Sequence, residues 1–200
     1  MFEDKVQKRL SLLMAGNEQP VEVSDQQFHL TEKKSGYADL QVQLSNPGIL
    51  FRDLENRKFQ YFRNKKCADY VMFEKQKNNW ILHIFEMKRS VGIDEWSHIK
   101  KQFAGALQNA LGLAGVLGIE FDLRQTRIYT VYRNDKLNDA ANPVSLRCQI
   151  HEKAHGNKKD KKEIMDWFQE QVALELFENI SLKHQKIKLN IENGTGECKV

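Results

Sequence analysis

The sequence predicts an α/β domain in which a mixed central β-sheet is flanked by helices. Ala68–Phe73 and Trp80–Phe85 are apolar segments joined by a short polar link, as in a β-hairpin. From Asp94 to Leu117 apolar residues recur at helical spacing. Arg127–Arg133 (RIYTVYR) has the aromatic and β-branched residues typical of a strand. The order hairpin, helix, strand indicates a mixed α/β architecture.

One helix and two short strands are expected before the hairpin. Residues 2–15 repeat apolar side chains at helical spacing. Val21–Leu30 and Tyr37–Leu44 alternate loosely between apolar and polar residues, which predicts short strands. Residues 17–48 would therefore form a hairpin elaboration ahead of the core. Ile49–Phe62 is ambiguous and fits a short helix only in part.

The second strand of the hairpin is apolar on both faces. Leu82 and Ile84 lie on one face, and Phe85 and Met87 on the other, because strand side chains alternate in direction. Such a strand belongs in the middle of a covered sheet. We expect Asp94 to cap the next helix, whose small residues would let it lie close to the sheet. These small residues are Ala104, Gly105, Ala106, Ala110, Gly112 and Gly115.

Two further strands and a helix are expected in the last third of the chain. Val144–Ile150 alternates like a strand, and residues 155–162 form a basic loop. Asp160 would cap a helix whose apolar stripe begins at Ile164 and ends at Ile180. Ile187–Ile191 alternates as a last strand.

Composition and length fit one domain with a substantial core. The 200 residues are 40% hydrophobic, which predicts a single domain over 1–200 with its core at about residues 50–180. The net charge of +4 permits nucleic-acid binding without requiring it. The three cysteines are widely spaced, which favours a reducing cytoplasm over a disulfide framework. The first residues lack the apolar core of a signal peptide, and no apolar run reaches membrane-spanning length.

Three charged residues interrupt the apolar hairpin. Asp69 lies on its first strand, and Glu86 and Lys88 share one face at the end of the second. Removing these charges from water is costly unless a partner or a metal compensates them. Two carboxylates at adjacent strand ends suit Mg²⁺, which takes few protein ligands and keeps several waters. Lys88 can then position or deprotonate a water, or neutralise charge in the transition state.

This pattern, Asp69 followed by Glu86-Met87-Lys88 and a helix, resembles the PD-(D/E)XK or restriction-endonuclease-like nuclease superfamily. The resemblance covers about residues 66–133. It implies a restriction-endonuclease-like core and Mg²⁺-dependent hydrolysis of DNA phosphodiesters, with Mn²⁺ as a substitute. It also implies that Asp69 and Glu86 bind the metal and that Lys88 is the lysine of the motif. Endonucleolytic cleavage is the favoured mode.

The resemblance further implies a glutamine on the following helix and an acid ahead of the hairpin. Gln102 is the candidate glutamine, and Gln108 is less well placed. The candidate acids, between which the sequence does not choose, are Glu3, Asp53 and Glu55. The chain departs from the family pattern at Ala68, where many members have proline. No aromatic residue follows Gln102 at the spacing that some exonuclease members show, which favours endonucleolytic cleavage.

DNA contacts are expected from basic residues near the motif and in the late loop. Arg89 directly follows the motif and suits a phosphate. The densest positive cluster, which is either a DNA contact or a solvated loop, comprises Lys158, Lys159, Lys161 and Lys162. Cutting both strands with so small a domain would favour a homodimer. Defence, mobile-element biology and repair are the processes that analogy with the superfamily suggests.

Two alternatives compete with the nuclease hypothesis. One is a non-catalytic module that binds nucleic acid or protein on the same fold. The other is a zinc peptidase, because His151-Glu152-x-x-His155 matches the H-E-x-x-H motif, with Glu170 or Glu175 as a third ligand. The residues before this motif alternate like a strand, and a Gly-Asn pair would end a helix at the second histidine. Both observations count against a zinc site.

Overall fold

The computed structural model describes residues 4–13, 20–24, 26–33, 37–57, 62, 64–139 and 165–200. The helices with assigned bounds are α1 (Asp4–Leu10), α2 (Leu54–Arg57), α3 (Ile93–Leu117) and α4 (Lys136–Asp139). The strands are β1 (Val21–Val23), β2 (Gln27–Glu32), β3 (Ala38–Gln43), β4 (Gly48–Arg52), β5 (Tyr70–Lys75), β6 (Trp80–Val91), β7 (Arg127–Asp135), β8 (Gln171–Glu175), β9 (Asn179–Lys188) and β10 (Thr195–Lys199).

The described strands form two sheets. The larger has the order β1-β4-β5-β6-β7-β9-β8, and the smaller has the order β10-β3-β2. In the larger sheet, β4, β5 and β6 are antiparallel, whereas β6, β7 and β9 run parallel. Helix α3 makes the connection between the parallel strands β6 and β7, as a parallel pair requires. The predicted mixed sheet with helices against it is confirmed.

Both faces of the larger sheet are covered, so its central strand β6 is buried. On one face Leu82 and Ile84 lie in a core with residues of α3 and α1. On the other face Phe85 and Met87 lie in a second core with the three-stranded sheet. The arrangement has three layers, with helices, the large sheet and the small sheet in that order. It explains why β6 is apolar in both directions, as the sequence predicts.

The predicted helix that ends at Ile180 is wrong. Among the described residues of this segment, 165–169 are helical, and the chain continues as β8 and β9. The apolar residues Val172, Leu176 and Ile180 recur every four positions, as on a helix, but Val172 lies in β8, Leu176 in the turn and Ile180 in β9. The buried residues of the two strands alternate instead, at Val172 and Leu174 and at Ile180 and Leu182. Glu170 separates the two elements with a φ of 54°, which is incompatible with a continuing helix.

Other element boundaries also differ from the predictions. Val21–Leu30 contains two strands that belong to different sheets, and the ambiguous segment from Ile49 begins as β4 before the short α2. The last strand is β10 rather than Ile187–Ile191, because Ile187 lies near the end of β9 and Ile191 lies in a turn. Gly92, not Asp94, is the N-cap of α3.

The predicted strand at 144–150 and the basic loop at 155–162 lie outside the described residues. Asp160, the expected helix cap, lies there too. In the part of the chain that the structure describes, no helix is both long enough and apolar enough to cross a membrane.

Helix α3 lies against the segment that leads into β5, and Gly105 permits this approach. A Cβ atom at Gly105 would overlap the backbone carbonyl oxygen of Lys66. Farther along the same helix, Gly115 has nothing within 4 Å of a Cβ position. The small-residue surface of the helix is therefore needed at Gly105 and not at Gly115. Gly118 ends the helix in the left-handed conformation with a φ of 68°.

We predict opposite effects for two glycine-to-alanine substitutions in α3. Gly105→Ala should lower the free energy of unfolding by about 1–3 kcal/mol, because the backbone of Lys66 must move. Gly115→Ala should raise it by about 0.5–1 kcal/mol, because alanine stabilises an open helix position. Urea denaturation of the two variants and the wild type measures both effects. Equal stability of the two variants would contradict the close contact between α3 at Gly105 and the backbone of Lys66.

Candidate functional site

Asp69 and Glu86 lie side by side at the open end of the β5–β6 hairpin. The antiparallel register pairs Tyr70 with Phe85, so the preceding Asp69 faces Glu86 across the two chains. The backbone N–H of Asp69 donates to Glu86 Oε2 at 3.2 Å. The backbone N–H of Met87 donates to Asp69 Oδ2 at 2.8 Å. Each carboxylate is thus held by the backbone of the opposite strand.

Both carboxyl groups resist ionisation. Glu86 is 0% exposed, and Asp69 is half-buried. Burial, followed by the charge of Asp69, raises the pKa of Glu86 to about 8. Burial also raises the pKa of Asp69 to about 6, although the hydrogen bond from Met87 opposes this rise. Two adjacent carboxylates in this environment ionise together only when additional positive charge is present.

Lys88 supplies part of that positive charge. Its Nζ lies 2.6 Å from Glu86 Oε1 and 3.5 Å from Glu95 Oε1 on α3. Burial acts to lower the pKa of Lys88, but Glu86, Asp69 and Glu95 together raise it above its ordinary value. The ammonium group is therefore cationic in this arrangement and acts as a hydrogen-bond donor rather than a base.

Gln102 is on the same side of the sheet as the two carboxylates. Its side chain is buried, and its Nε2 donates to the carbonyl oxygen of Cys67 at 3.4 Å. Cys67 lies two residues before Asp69, so this bond links α3 to the segment that positions the first carboxylate. Gln102 lines the cavity described below, whereas Gln108 does not. The choice of Gln102 over Gln108 agrees with this placement.

A cavity of about 850 Å³ opens over these residues. Its described walls come from the end of β2, from β4 and α2, from the ends of β5 and β6, and from α3. The residues that line it are Thr31, Glu32, Lys33, Arg52, Asp53, Glu55, Asn56, Asp69, Tyr70, Met87, Lys88, Arg89, Ser90, Glu95 and Gln102. Five carboxylates and four cationic side chains are present among these described residues.

Two of the three candidate upstream acids line this cavity. The backbone N–H of Asp53 donates to the carbonyl oxygen of Asp69 at 3.1 Å, which brings α2 to the site. The side chain of Asp53 accepts a hydrogen bond from Asn56 Nδ2 at 2.6 Å and so serves the short helix itself. The charge of Glu55 contributes to the raised pKa of Asp69. Glu3 lies outside the described residues.

Comparisons with protein-family models, curated proteins and solved structures gave no significant match. The chemistry of the site therefore has to follow from its own side chains. No group of three or more His, Cys, Asp or Glu side chains in the described ranges is arranged to hold a metal ion. Asp69 and Glu86 form a pair of hard oxygen donors, which fits Mg²⁺ because Mg²⁺ retains water in its remaining positions. Lys88 would have to share Glu86 with the metal.

Several lining residues were not predicted from the sequence. Glu32 and Lys33 come from the end of β2, which belongs to the other sheet, and Arg52 comes from the end of β4. No local signal near these residues marks them, because only the packing of the two sheets brings them to the hairpin. The charge of Glu32 also helps to raise the pKa of Asp69.

The remaining predicted residues are distributed as follows. Arg89 is exposed and lines the cavity. Glu170 lies near Lys186, and Glu175 lines a separate cavity of about 390 Å³, so neither is close to Asp69. The basic cluster predicted to contact DNA lies outside the described part of the chain, and it comprises Lys158, Lys159, Lys161 and Lys162. The zinc motif His151, Glu152 and His155 lies outside it too.

The buried carboxyls predict a characteristic pH dependence of stability without metal. Glu86 has an ordinary pKa of 4.5 that rises to about 8 in the fold. The stability that its neutral form provides is complete below pH 4.5 and is lost as pH rises through about 8. Relative to Glu86→Gln, the wild type should therefore lose on the order of a few kcal/mol across this range.

Urea denaturation in EDTA at a series of pH values measures this difference. Glu178→Gln, at an exposed turn between β8 and β9, is the matched control and should follow the wild type at every pH. A difference between wild type and Glu86→Gln that stays constant, or grows in favour of the wild type as pH rises, would contradict the raised pKa of Glu86.

Proposed function

We propose that this protein is a Mg²⁺-dependent nuclease that hydrolyses DNA phosphodiester bonds endonucleolytically. The observation that supports the proposal most strongly is the contact between Asp69, which lines the cavity, and the fully buried Glu86, with Lys88 Nζ 2.6 Å from Glu86. Acids and a lysine in this arrangement are the groups that phosphodiester hydrolysis with a divalent cation requires. They are also the groups of the superfamily motif.

The charge of the cavity favours a role for a divalent cation. The described lining has five carboxylates and four cationic side chains, so carboxylates outnumber cations. Without a bound cation this excess of negative charge would repel a polyanionic substrate. The pKa values of Asp69 and Glu86 are raised, so binding a cation would lower an existing electrostatic cost. Mg²⁺, when bound, would neutralise charge on the phosphate and lower the pKa of an attacking water.

Each protein side chain at the site has a separate role in this proposal. Asp69 and Glu86 hold the cation, and their backbone hydrogen bonds fix their position. Lys88 orients the attacking water and donates to the oxygen on which charge develops, because its raised pKa favours a donor over a base. Gln102 holds the segment before Asp69 through the carbonyl oxygen of Cys67.

Glu55 is the acid that we propose as the upstream partner. It lines the cavity, and its charge already raises the pKa of Asp69. Asp53 also lines the cavity, but its Oδ1 accepts from Asn56 and its backbone positions α2. Glu55 would strengthen cation binding without being one of the central pair.

The order of elements around the site also supports a restriction-endonuclease-like core. The antiparallel β5–β6 hairpin is followed by α3 and then by β7, which lies parallel to β6. This is the part of the chain, residues 66–133, over which the motif resembles the superfamily. A homodimer would bring two such sites to the two strands of a duplex.

Three substitutions should abolish Mg²⁺-dependent DNA cleavage while the fold survives. Asp69→Asn and Glu86→Gln remove the charges that hold the cation, and Lys88→Met removes the donor, so each should lower the rate by about 10²-fold or more. Glu55→Gln should raise the Mg²⁺ concentration needed for half-maximal rate. Conversion of supercoiled plasmid to nicked and linear forms, in Mg²⁺ or EDTA, measures the rates.

Glu178→Gln and Lys77→Met, both at exposed turns far from the cavity, are the matched controls and should retain full activity. Undiminished cleavage by Glu86→Gln would refute the proposed site. Retention of DNA by pure wild-type protein, with no cleavage in Mg²⁺ or Mn²⁺, would instead identify a non-catalytic binding module.

A further inference from the structure

The small sheet forms one wall of the candidate site. Its edge strand β2 ends with Thr31 and Glu32, which line the cavity together with Lys33. The opposite wall is α3 with Glu95 and Gln102. The described walls therefore surround Asp69 on several sides of a recess, and the fully buried Glu86 lies next to Asp69.

Tyr70 holds the β2 wall in position through two hydrogen bonds. Its hydroxyl donates to the carbonyl oxygen of Thr31 at 2.6 Å and accepts from the backbone N–H of Thr31 at 3.1 Å. These two groups belong to the edge of β2 that faces away from β3, so Tyr70 satisfies backbone groups that would otherwise need water. Tyr70 directly follows Asp69. One residue thus couples the position of the wall to the position of the first carboxylate.

The dimensions of the recess limit what can reach its floor. A cavity of about 850 Å³ is the size that encloses a small organic ligand, such as one or two nucleotides. An intact duplex is too large to enter a cavity of this volume, whereas one strand can place a phosphate beside Asp69. To place a nucleotide inside such a cavity a duplex has to open locally, at a cost of a few kcal/mol, as it does for enzymes that extrude a nucleotide.

Cationic side chains line the recess on both sides of its floor. Lys33 and Arg52 come from the ends of β2 and β4, and Lys88 and Arg89 come from the end of β6. Lys33 and Arg52 are exposed at the rim, where phosphate contacts cost little desolvation. A strand that crosses the floor would have phosphates on both sides of the scissile one, and these two residues would contact one side.

We propose that the recess binds a single nucleic-acid strand, with Lys33 and Arg52 as its phosphate contacts, and that unpaired DNA is cut in preference to duplex DNA. The inference depends on the proposed nuclease function for its cleavage step, but strand binding can be tested without it. Tyr70 is a positioning residue that holds the β2 wall.

Tyr70→Phe tests the positioning role. It keeps the ring and removes only the hydroxyl that holds Thr31, so KM for single-stranded DNA should rise several-fold while kcat stays near the wild-type value. A merely structural role would lower the denaturation midpoint and leave KM unchanged. That outcome would overturn the assignment.

The decisive test uses two covalently closed circles of one sequence, one single-stranded and one a relaxed duplex, each incubated with wild-type protein and Mg²⁺. Circles have no ends, so every cut is endonucleolytic. The single-stranded circle should be cut at least about tenfold faster, because the duplex must first be opened. Equal rates on the two circles would overturn the inference and leave the nuclease proposal intact.

A binding measurement separates the inference from the nuclease proposal. Anisotropy of labelled oligothymidine is measured with Ca²⁺, another hard cation with oxygen ligands, in place of Mg²⁺. The Lys33→Ala/Arg52→Ala variant should bind on the order of tenfold more weakly, with a salt slope smaller by about 0.7 per lost contact. Lys77→Ala should bind like the wild type. If neither circle is cut but only the double variant binds oligothymidine more weakly, the nuclease proposal fails and strand binding stands. Equal binding by the wild type, the double variant and Lys77→Ala would overturn strand binding by the recess.

Discussion

The site depends on two carboxyl groups held side by side away from water. The register of the β5–β6 hairpin brings Asp69 to Glu86, and backbone N–H groups fix both side chains. Helix α3 covers them closely because Gly105 lets it contact the backbone of Lys66. Burial raises both pKa values, and the ammonium group of Lys88 compensates only part of the charge. The fold thus maintains an electrostatic cost that a bound cation would relieve.

The elements predicted correctly from the sequence are those whose signals are local and unambiguous. The hairpin has two apolar runs joined by a polar link, α3 has helical spacing, and β7 is rich in aromatic and β-branched residues. The strands among them, β5, β6 and β7, are adjacent at the centre of the large sheet. The segment from Val172 to Ile180 was predicted as a helix because three of its apolar residues are four positions apart, although they lie in two strands and the turn between them. The small sheet was not predictable as a unit, since β10 pairs with β3 from the other end of the chain and no local pattern specifies that partner.

The same distinction applies to the candidate site. Asp69, Glu86 and Lys88 were predicted because charged residues within an apolar hairpin are unusual, and Gln102 because the resemblance to the superfamily implies a glutamine on the following helix. Lys33 and Arg52 gave no signal, since each is an ordinary charged residue at the end of a strand until the two sheets pack together. The proposed catalytic residues Asp69, Glu86 and Lys88 therefore lie in one stretch of sequence. The walls that would select a substrate come from elements far apart in the sequence, so only the folded structure brings them together.

The most direct test of the central claim is the number of protons released when Mg²⁺ binds. Calorimetric titration at pH 7 in buffers of different ionisation enthalpy gives this number. Because the pKa of Glu86 is about 8, its carboxyl group is mostly protonated at this pH without metal. A cation that binds Asp69 and Glu86 should release about one proton from the wild type and none from Glu86→Gln. Mg²⁺ binding with no proton release, or no saturable binding at all, would contradict a metal site at this pair.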